Sequence, residues 1–200
     1  DVPMQMIHNG VDTETFRPGE RHRKAGEPFR LLYVGSWMAR KGVDLLAPIL
    51  RELGDGFELR YTGGPAAEKD KANMPANMTD IGRLHDDAAV AAAMQNADAL
   101  LFPSRSEGFG LVAAEAMACG LPVIGTRGSS LLDVVAEDAT GVLCTQDDAS
   151  AFAVAVRSLV SDSDRYASFV QAARVRAVDR FSEDAMIQAY MSLYRALVNP

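Results

Sequence analysis

Two hydrophobic periods alternate along the first three quarters of the chain. Short apolar runs of strand length recur at 30–35, 57–62, 78–82, 99–103, 122–126 and 141–144. Several are apolar on both faces, the pattern of strands covered by helices on either side. Between them lie segments of helical period. Val43–Leu53 carries Val43, Leu46, Ile49, Leu50 and Leu53 on one stripe. Segments 87–96 and 111–119 are Ala-rich and favour helix. Beyond Cys144 only helical spacing remains. Phe152, Val156, Leu159 and Val160 share a face within 149–160, and Tyr166, Phe169, Val170 and Ala173 continue the pattern. Segment 182–198 opens on a Ser182-Glu183-Asp184 cap cluster.

Strands alternating with helices predict βαβ units, right-handed crossovers and an α/β fold on a mostly parallel sheet of about six strands. Ligands of such sheets bind beyond the carboxyl ends of the strands. The chemistry is therefore expected just after strands. Two segments fit this plan poorly. Run 4–9 looks like a strand, yet about twenty polar residues separate it from the first βαβ unit. The last helix carries Met186, Ile187, Tyr190, Met191, Tyr194, Leu197 and Val198, a stripe wide for a helix covered on one side.

Composition narrows the function classes. The 200 residues suffice for one domain, and 48% hydrophobic with 24% charged residues excludes disorder, coiled coil and collagen. No apolar run reaches the ~20 residues of a membrane helix. The first residues show neither the basic region nor the apolar stretch of a leader, and the absence of an initiator Met suggests a piece of something longer. A net charge of -7 argues against broad nucleic-acid or anionic-membrane binding but permits a local phosphate pocket. The basic run Arg21-His22-Arg23-Lys24 sits among Gly and Glu and reads as a solvated loop. Cys119 and Cys144 form no CxxC and no disulfide framework, which fits a reducing cytoplasm. His8, His22 and His85 lie outside the usual metal spacings, so no transition-metal site is expected.

The most specific stretch is PSRSEGFGLVAAEAMACGLPVI at 103–124. A strand ends at Pro103, a glycine-bearing loop follows, and a helix begins near Gly110. Free N–H groups and the positive dipole end make that helix start an anion site. Gly108 and Gly110 let a phosphate or sugar approach the backbone. Glu107 lies in the loop and Glu115 lies in the helix, roughly 7.5 Å along its axis at 1.5 Å per residue. That is about the span from a diphosphate to a ribose diol. A carboxylate there accepts two hydrogen bonds from vicinal hydroxyls. The set suits a nucleotide-diphosphate sugar.

This Glu-x7-Glu segment resembles the donor site of the group 1 (family 4) retaining glycosyltransferases of the GT-B fold. The resemblance covers essentially the whole chain. Ile7-His8-Asn9-Gly10-Val11-Asp12 with Phe16-Arg17-Pro18 is similar to the family's interdomain crossing. Tyr33-Val34-Gly35 through Arg40-Lys41-Gly42-Val43-Asp44 is similar to its first strand, phosphate loop and helix. The resemblance implies a Rossmann-like doubly wound sheet forming the C-terminal, donor-binding half of a two-domain enzyme. Residues 1–28 would be the crossing segment, 29–180 the core, and 181–200 a helix packing on the N-terminal domain. The two poorly fitting segments are then orphaned, and are expected to repack on this domain or to be buried in an oligomer contact.

The same resemblance implies transfer of a hexose from a UDP- or GDP-sugar to a hydroxyl, with retention, as in polysaccharide biosynthesis. It implies no metal and no tightly bound cofactor, and no transfer by this half alone. Lys41 would neutralise the diphosphate, with Arg40 as a second cation beside Gly35 and Ser36. Glu107 would contact the transferred sugar, and Glu115 would hold the ribose. The backbone from Gly108 through Phe109, Gly110, Leu111 and Val112 would serve sugar and phosphate. Gly82, Arg83 and Leu84 would face the base. The chain departs from the family at Ser36, where Arg is common, and at Ser129-Ser130 with Asp133, where Gly-Gly precedes Glu.

Other readings compete. Gly108 to Ala113 satisfies the G-x-G-x-x-A dinucleotide fingerprint. Against it, four residues separate strand from glycine, and Thr126-Arg127-Gly128 supplies no acid for an NAD ribose. A non-catalytic module that binds nucleotide sugars is a further option. Glu107 alone could merely stabilise a helix dipole, Glu115 could be a solvated helix residue, and Lys41 and Arg40 surface charges. Trp37 is either a stacking platform or a packed loop anchor. Cys119 reads as a small buried hydrophobe.

Overall fold

A computed structural model describes residues 4–20, 23–24, 26–63, 74–128 and 130–198. Arg21, His22 and Ser129, singled out above, lie outside the described residues.

The strands are β1 (Phe29–Tyr33), β2 (Phe57–Tyr61), β3 (Met78–Asp80), β4 (Ala99–Phe102), β5 (Val123–Thr126) and β6 (Gly141–Cys144). The helices are α1 (Val43–Leu53), α2 (Asp87–Gln95), α3 (Leu111–Ala118), α4 (Leu131–Val134), α5 (Ala149–Ser161), α6 (Ser163–Phe181) and α7 (Glu183–Val198), with a 3-10 turn at Ala39–Lys41. The sheet runs β3-β2-β1-β4-β5-β6 with all described pairs parallel. That is the doubly wound order, with its switch point between β1 and β4.

The strand period of two sets the layers. Leu31 and Leu32 are both buried, on opposite faces. Leu31, Tyr33 and Leu101 pack with Ile49 of α1 and Phe152 of α5. Leu32, Leu100 and Val123 pack with α3 and with Phe181 of α6. In α3, Ala113, Ala114, Ala116 and Ala118 are fully buried. Their small side chains seat this helix close to the strands and to α6. Asp162 separates α5 from α6 by capping α6, accepting from Arg165 N–H at 2.9 Å.

Run 4–9 is not a strand. It lies by the α6–α7 junction rather than on a sheet edge. Only Val11 bridges Ser182 there, with Val11 N–H donating to Phe181 O at 2.7 Å and Glu183 N–H to Val11 O at 3.0 Å. Met4 and Met6 are exposed. Helix α7 has no buried residue, and Ile187, Tyr190, Tyr194 and Leu197 of its stripe are exposed. Among the described residues, the two poorly fitting segments make contacts with the rest of this domain. They include the Val11 bridge, Gly10 N–H on Met186 Sδ at 3.2 Å, and His8 among aromatic rings. Among the described residues, no helix is long and apolar enough to cross a membrane.

Candidate functional site

Most of the residues that the resemblance implies lie just beyond the carboxyl ends of β1, β3 and β4. The loop after β1 is pinned first. Gly35 N–H donates to Thr62 Oγ1 at 3.1 Å, and the Tyr33 hydroxyl donates to Ser36 O at 2.9 Å. Burial pushes the Tyr33 phenol well above its usual range; Glu107's charge adds to this and Arg40's opposes it. Tyr33 therefore remains a protonated donor. Trp37 packs against Tyr33 and Tyr61, with ring centroids 6.4 and 4.9 Å apart. It is a loop anchor.

The Ala39–Lys41 turn ends at Gly42, whose φ is +70°. A Cβ there would run into Pro103 O. Glycine lets the loop after β1 lie backbone to backbone on the loop after β4. That approach brings Lys41 to Glu107. Lys41 Nζ and Glu107 Oε1 are 2.5 Å apart, with side chains 16% and 10% exposed. Ser130 Oγ donates to Glu107 O at 3.3 Å and ties this loop to the start of α4.

Gly110 has φ +92° and heads α3, and no side chain caps that end. The first N–H groups of α3 are the kind a bound anion satisfies. Phe109 packs between His8 and Phe181 at 5.8 and 5.7 Å. Its ring joins the core while its backbone faces the loop.

A cleft of about 760 Å³ adjoins these loops and is lined by Gly35, Ser36, Thr62, Gly82, Arg83 and Leu84, among others. The two groups expected at phosphate and base thus share one cavity. Asp80 shapes its floor by accepting from Gly82 N–H at 2.8 Å. Val90 of α2 forms another wall. Glu115 lies half-buried among the alanines of α3. Burial pushes its carboxyl up to about 7, and the charge of Asp87 at the start of α2 adds to the rise. Arg40 projects an exposed side chain, and its carbonyl accepts from Arg105 N–H at 2.9 Å.

Cys119 and Cys144 are buried free thiols, each pushed up to about 12 by burial. Neither is a nucleophile at neutral pH. Sequence reasoning misses Arg105, which grips Asp44 and Asp147. Its one local signal is a position two residues before Glu107. Thr62 and Asp80 carry no signal beyond following a strand or ending one.

Residues 17–176 match the family model described as Glycosyl transferases group 1. D-inositol 3-phosphate glycosyltransferase 1 of Catenulispora acidiphila is 30% identical across 98% of this chain and 52% of the relative. The chain spans about half the length of the curated relatives it matches. Sucrose-phosphate synthase from Thermosynechococcus elongatus superposes with a TM-score of 0.84 and 28% identity, over 97% of this chain and 52% of that one. Anabaena HepE, solved in complex with UDP-glucose, shares the fold at a TM-score of 0.81 and 18% identity, over 96% of this chain and 57% of that one.

Proposed function

Since the chain belongs to the group 1 glycosyl transferases, we propose that it is the donor-binding half of a retaining GT-B hexosyltransferase. One observation carries this reading. The Lys41–Glu107 pair joins the loops after β1 and β4, Glu107 stands three residues before Gly110 at the uncapped head of α3, and Gly35 and Ser36 of the same loop after β1 line the cleft with Gly82–Leu84. A cation, free amides and a carboxylate then meet where a sugar diphosphate would lie.

Each part has a role. The Lys41 ammonium and the α3 amides offset the charge that develops on the departing diphosphate. Glu107 accepts hydrogen bonds from hydroxyls of the transferred hexose. Glu115, when ionised, accepts two from the ribose diol. The backbone at Gly82, Arg83 and Leu84 faces the base. Gly35, Ser36 and Arg40 border the phosphates, and the backbone from Gly108 through Val112 serves sugar and phosphate. Either a UDP- or a GDP-sugar fits this chemistry, and the UDP-glucose complex of Anabaena HepE favours uridine. Residues 1–28 would serve as the crossing, and α7 (Glu183–Val198) would meet an N-terminal acceptor domain, while Phe181, which ends α6, stays in the core.

Without that domain the two reactants are not held in line, and the advantage of proximity is lost. The isolated chain is expected to bind donor without transferring sugar. Transfer to a hydroxyl in polysaccharide biosynthesis fits this reading, as does a reducing cytoplasm, where free thiols such as Cys119 and Cys144 persist. A thermal-shift panel of UDP, GDP, ADP and their sugar conjugates tests the reading, because a ligand that binds only the native state raises Tm. Stabilisation by a sugar conjugate above its bare nucleotide is expected. No shift with any member would refute the reading.

A further inference from the structure

We propose that Arg105 is a positioning residue of the donor site, fastening the loop that carries Lys41 to the loop that carries Glu107. This rests on the donor-site reading above and adds to it a residue that touches neither sugar nor phosphate.

The geometry is specific. Arg105 sits two residues before Glu107, and its backbone N–H donates to Arg40 O at 2.9 Å. Its guanidinium meets Asp44 in the fork geometry, Nη1 to Oδ1 at 2.8 Å and Nη2 to Oδ2 at 2.7 Å. Nη1 also donates to Ala39 O. Nε donates to Asp147 Oδ1 at 2.7 Å. One side chain thus joins the turn that presents Lys41, the first turn of α1, and the loop between β6 and α5. Asp147 adopts φ +61°, a left-handed conformation uncommon outside glycine. The contact to Arg105 is made from that conformation.

Energetics separate positioning from stabilisation. Arg105 is 25% exposed, Asp44 56% and Asp147 47%. Exposed ion pairs contribute little to stability. A planar fork held by two acids and a carbonyl nevertheless restricts direction strongly. Its consequence is the separation of Lys41 and Glu107, two side chains that close on each other only if both loops keep their register. Lysine keeps the charge at 105 but loses the fork.

The test is a double-mutant cycle on UDP-glucose affinity, with melting temperature recorded for every variant. Arg105→Lys is expected to weaken UDP-glucose about tenfold with Tm within a few degrees of the parent. In a Lys41→Ala background, the same change is expected to cost less than about twofold, because the group it positions is gone. Asp44→Asn, which removes the other half of the fork, should reproduce both results and serves if Arg105→Lys melts early. Equal losses in both backgrounds, or parental affinity in Arg105→Lys and Asp44→Asn, would overturn the assignment while leaving the donor-site reading intact. A parent chain that binds no nucleotide sugar overturns both.

Discussion

Lys41 Nζ and Glu107 Oε1 meet at 2.5 Å although 66 positions separate them in the chain. Each side chain is therefore the other's counter-ion. On the proposed reading, a bound diphosphate draws Lys41 from Glu107, and the hexose gives that carboxylate new partners. Replacing Glu107 by Gln should consequently tighten bare UDP by roughly threefold to tenfold while removing the extra affinity of UDP-glucose over UDP. Lys41→Ala should weaken both by about tenfold or more, the worth of ~1.4 kcal/mol. Calorimetric titration of the two ligands into both variants checks this. Weaker UDP binding by Glu107→Gln would contradict the competition.

Glu115 should make the proposed site sensitive to pH. Its folded pKa is about 7, above the usual 4.5, because burial disfavours the charged form. Between those values the folded chain holds more proton than the unfolded one. Stability from this group is full below 4.5 and is lost as pH rises to about 7. Glu115→Gln should flatten that part of the Tm–pH curve. If Glu115 holds the ribose as proposed, the ionised form is the one that binds, so UDP affinity should fall as pH drops below 7 and binding should release a proton. A pH-independent dissociation constant between pH 5.5 and 8 would remove Glu115 from the ribose.

Gly42 should tolerate no side chain. Alanine there meets an unfavourable φ and the carbonyl of Pro103 together. The strain alone costs about 1–3 kcal/mol. Urea denaturation should show at least that loss, and UDP affinity should fall because the two loops are forced apart. Parental stability in Gly42→Ala would mean that the loops are not in close contact.

The end of the chain should divide sharply in its tolerance. Leu197→Ser and Tyr194→Ser change exposed positions of α7 and should move stability by no more than about 0.5 kcal/mol. Phe181 is fully buried and touches Phe109 and His8, so Phe181→Ala should cost about 3–5 kcal/mol. A large loss from the α7 changes would show that the helix is covered.

Much of the architecture is legible in the amino-acid sequence itself. The strand runs and the helical stripes between them survive packing: β4 and β5 are buried along their whole length, while the edge strand β3 keeps only Met78 buried. Glu107 is marked by its place in the loop after a strand and Lys41 by the resemblance, and the fold brings the two together. Run 4–9 misleads because alternation of Met4 and Met6 with polar residues describes a strand without supplying a sheet edge to join. Helix α4 spans four residues and is too short to show a period. Arg105 is silent because its partners lie 61 and 42 positions away, and no local spacing records such contacts. The raised pKa of Glu115 arises only when its helix is packed.

The central claim is that this chain holds a nucleotide-diphosphate sugar across Lys41, Glu107 and Glu115. Titrating UDP-glucose, GDP-mannose and NADH into the chain, with Lys41→Ala in parallel, tests it most directly. Saturable one-site binding of one nucleotide sugar, weakened about tenfold or more by Lys41→Ala and absent for NADH, is the predicted result. Saturable NADH binding with no heat from either sugar nucleotide would contradict it.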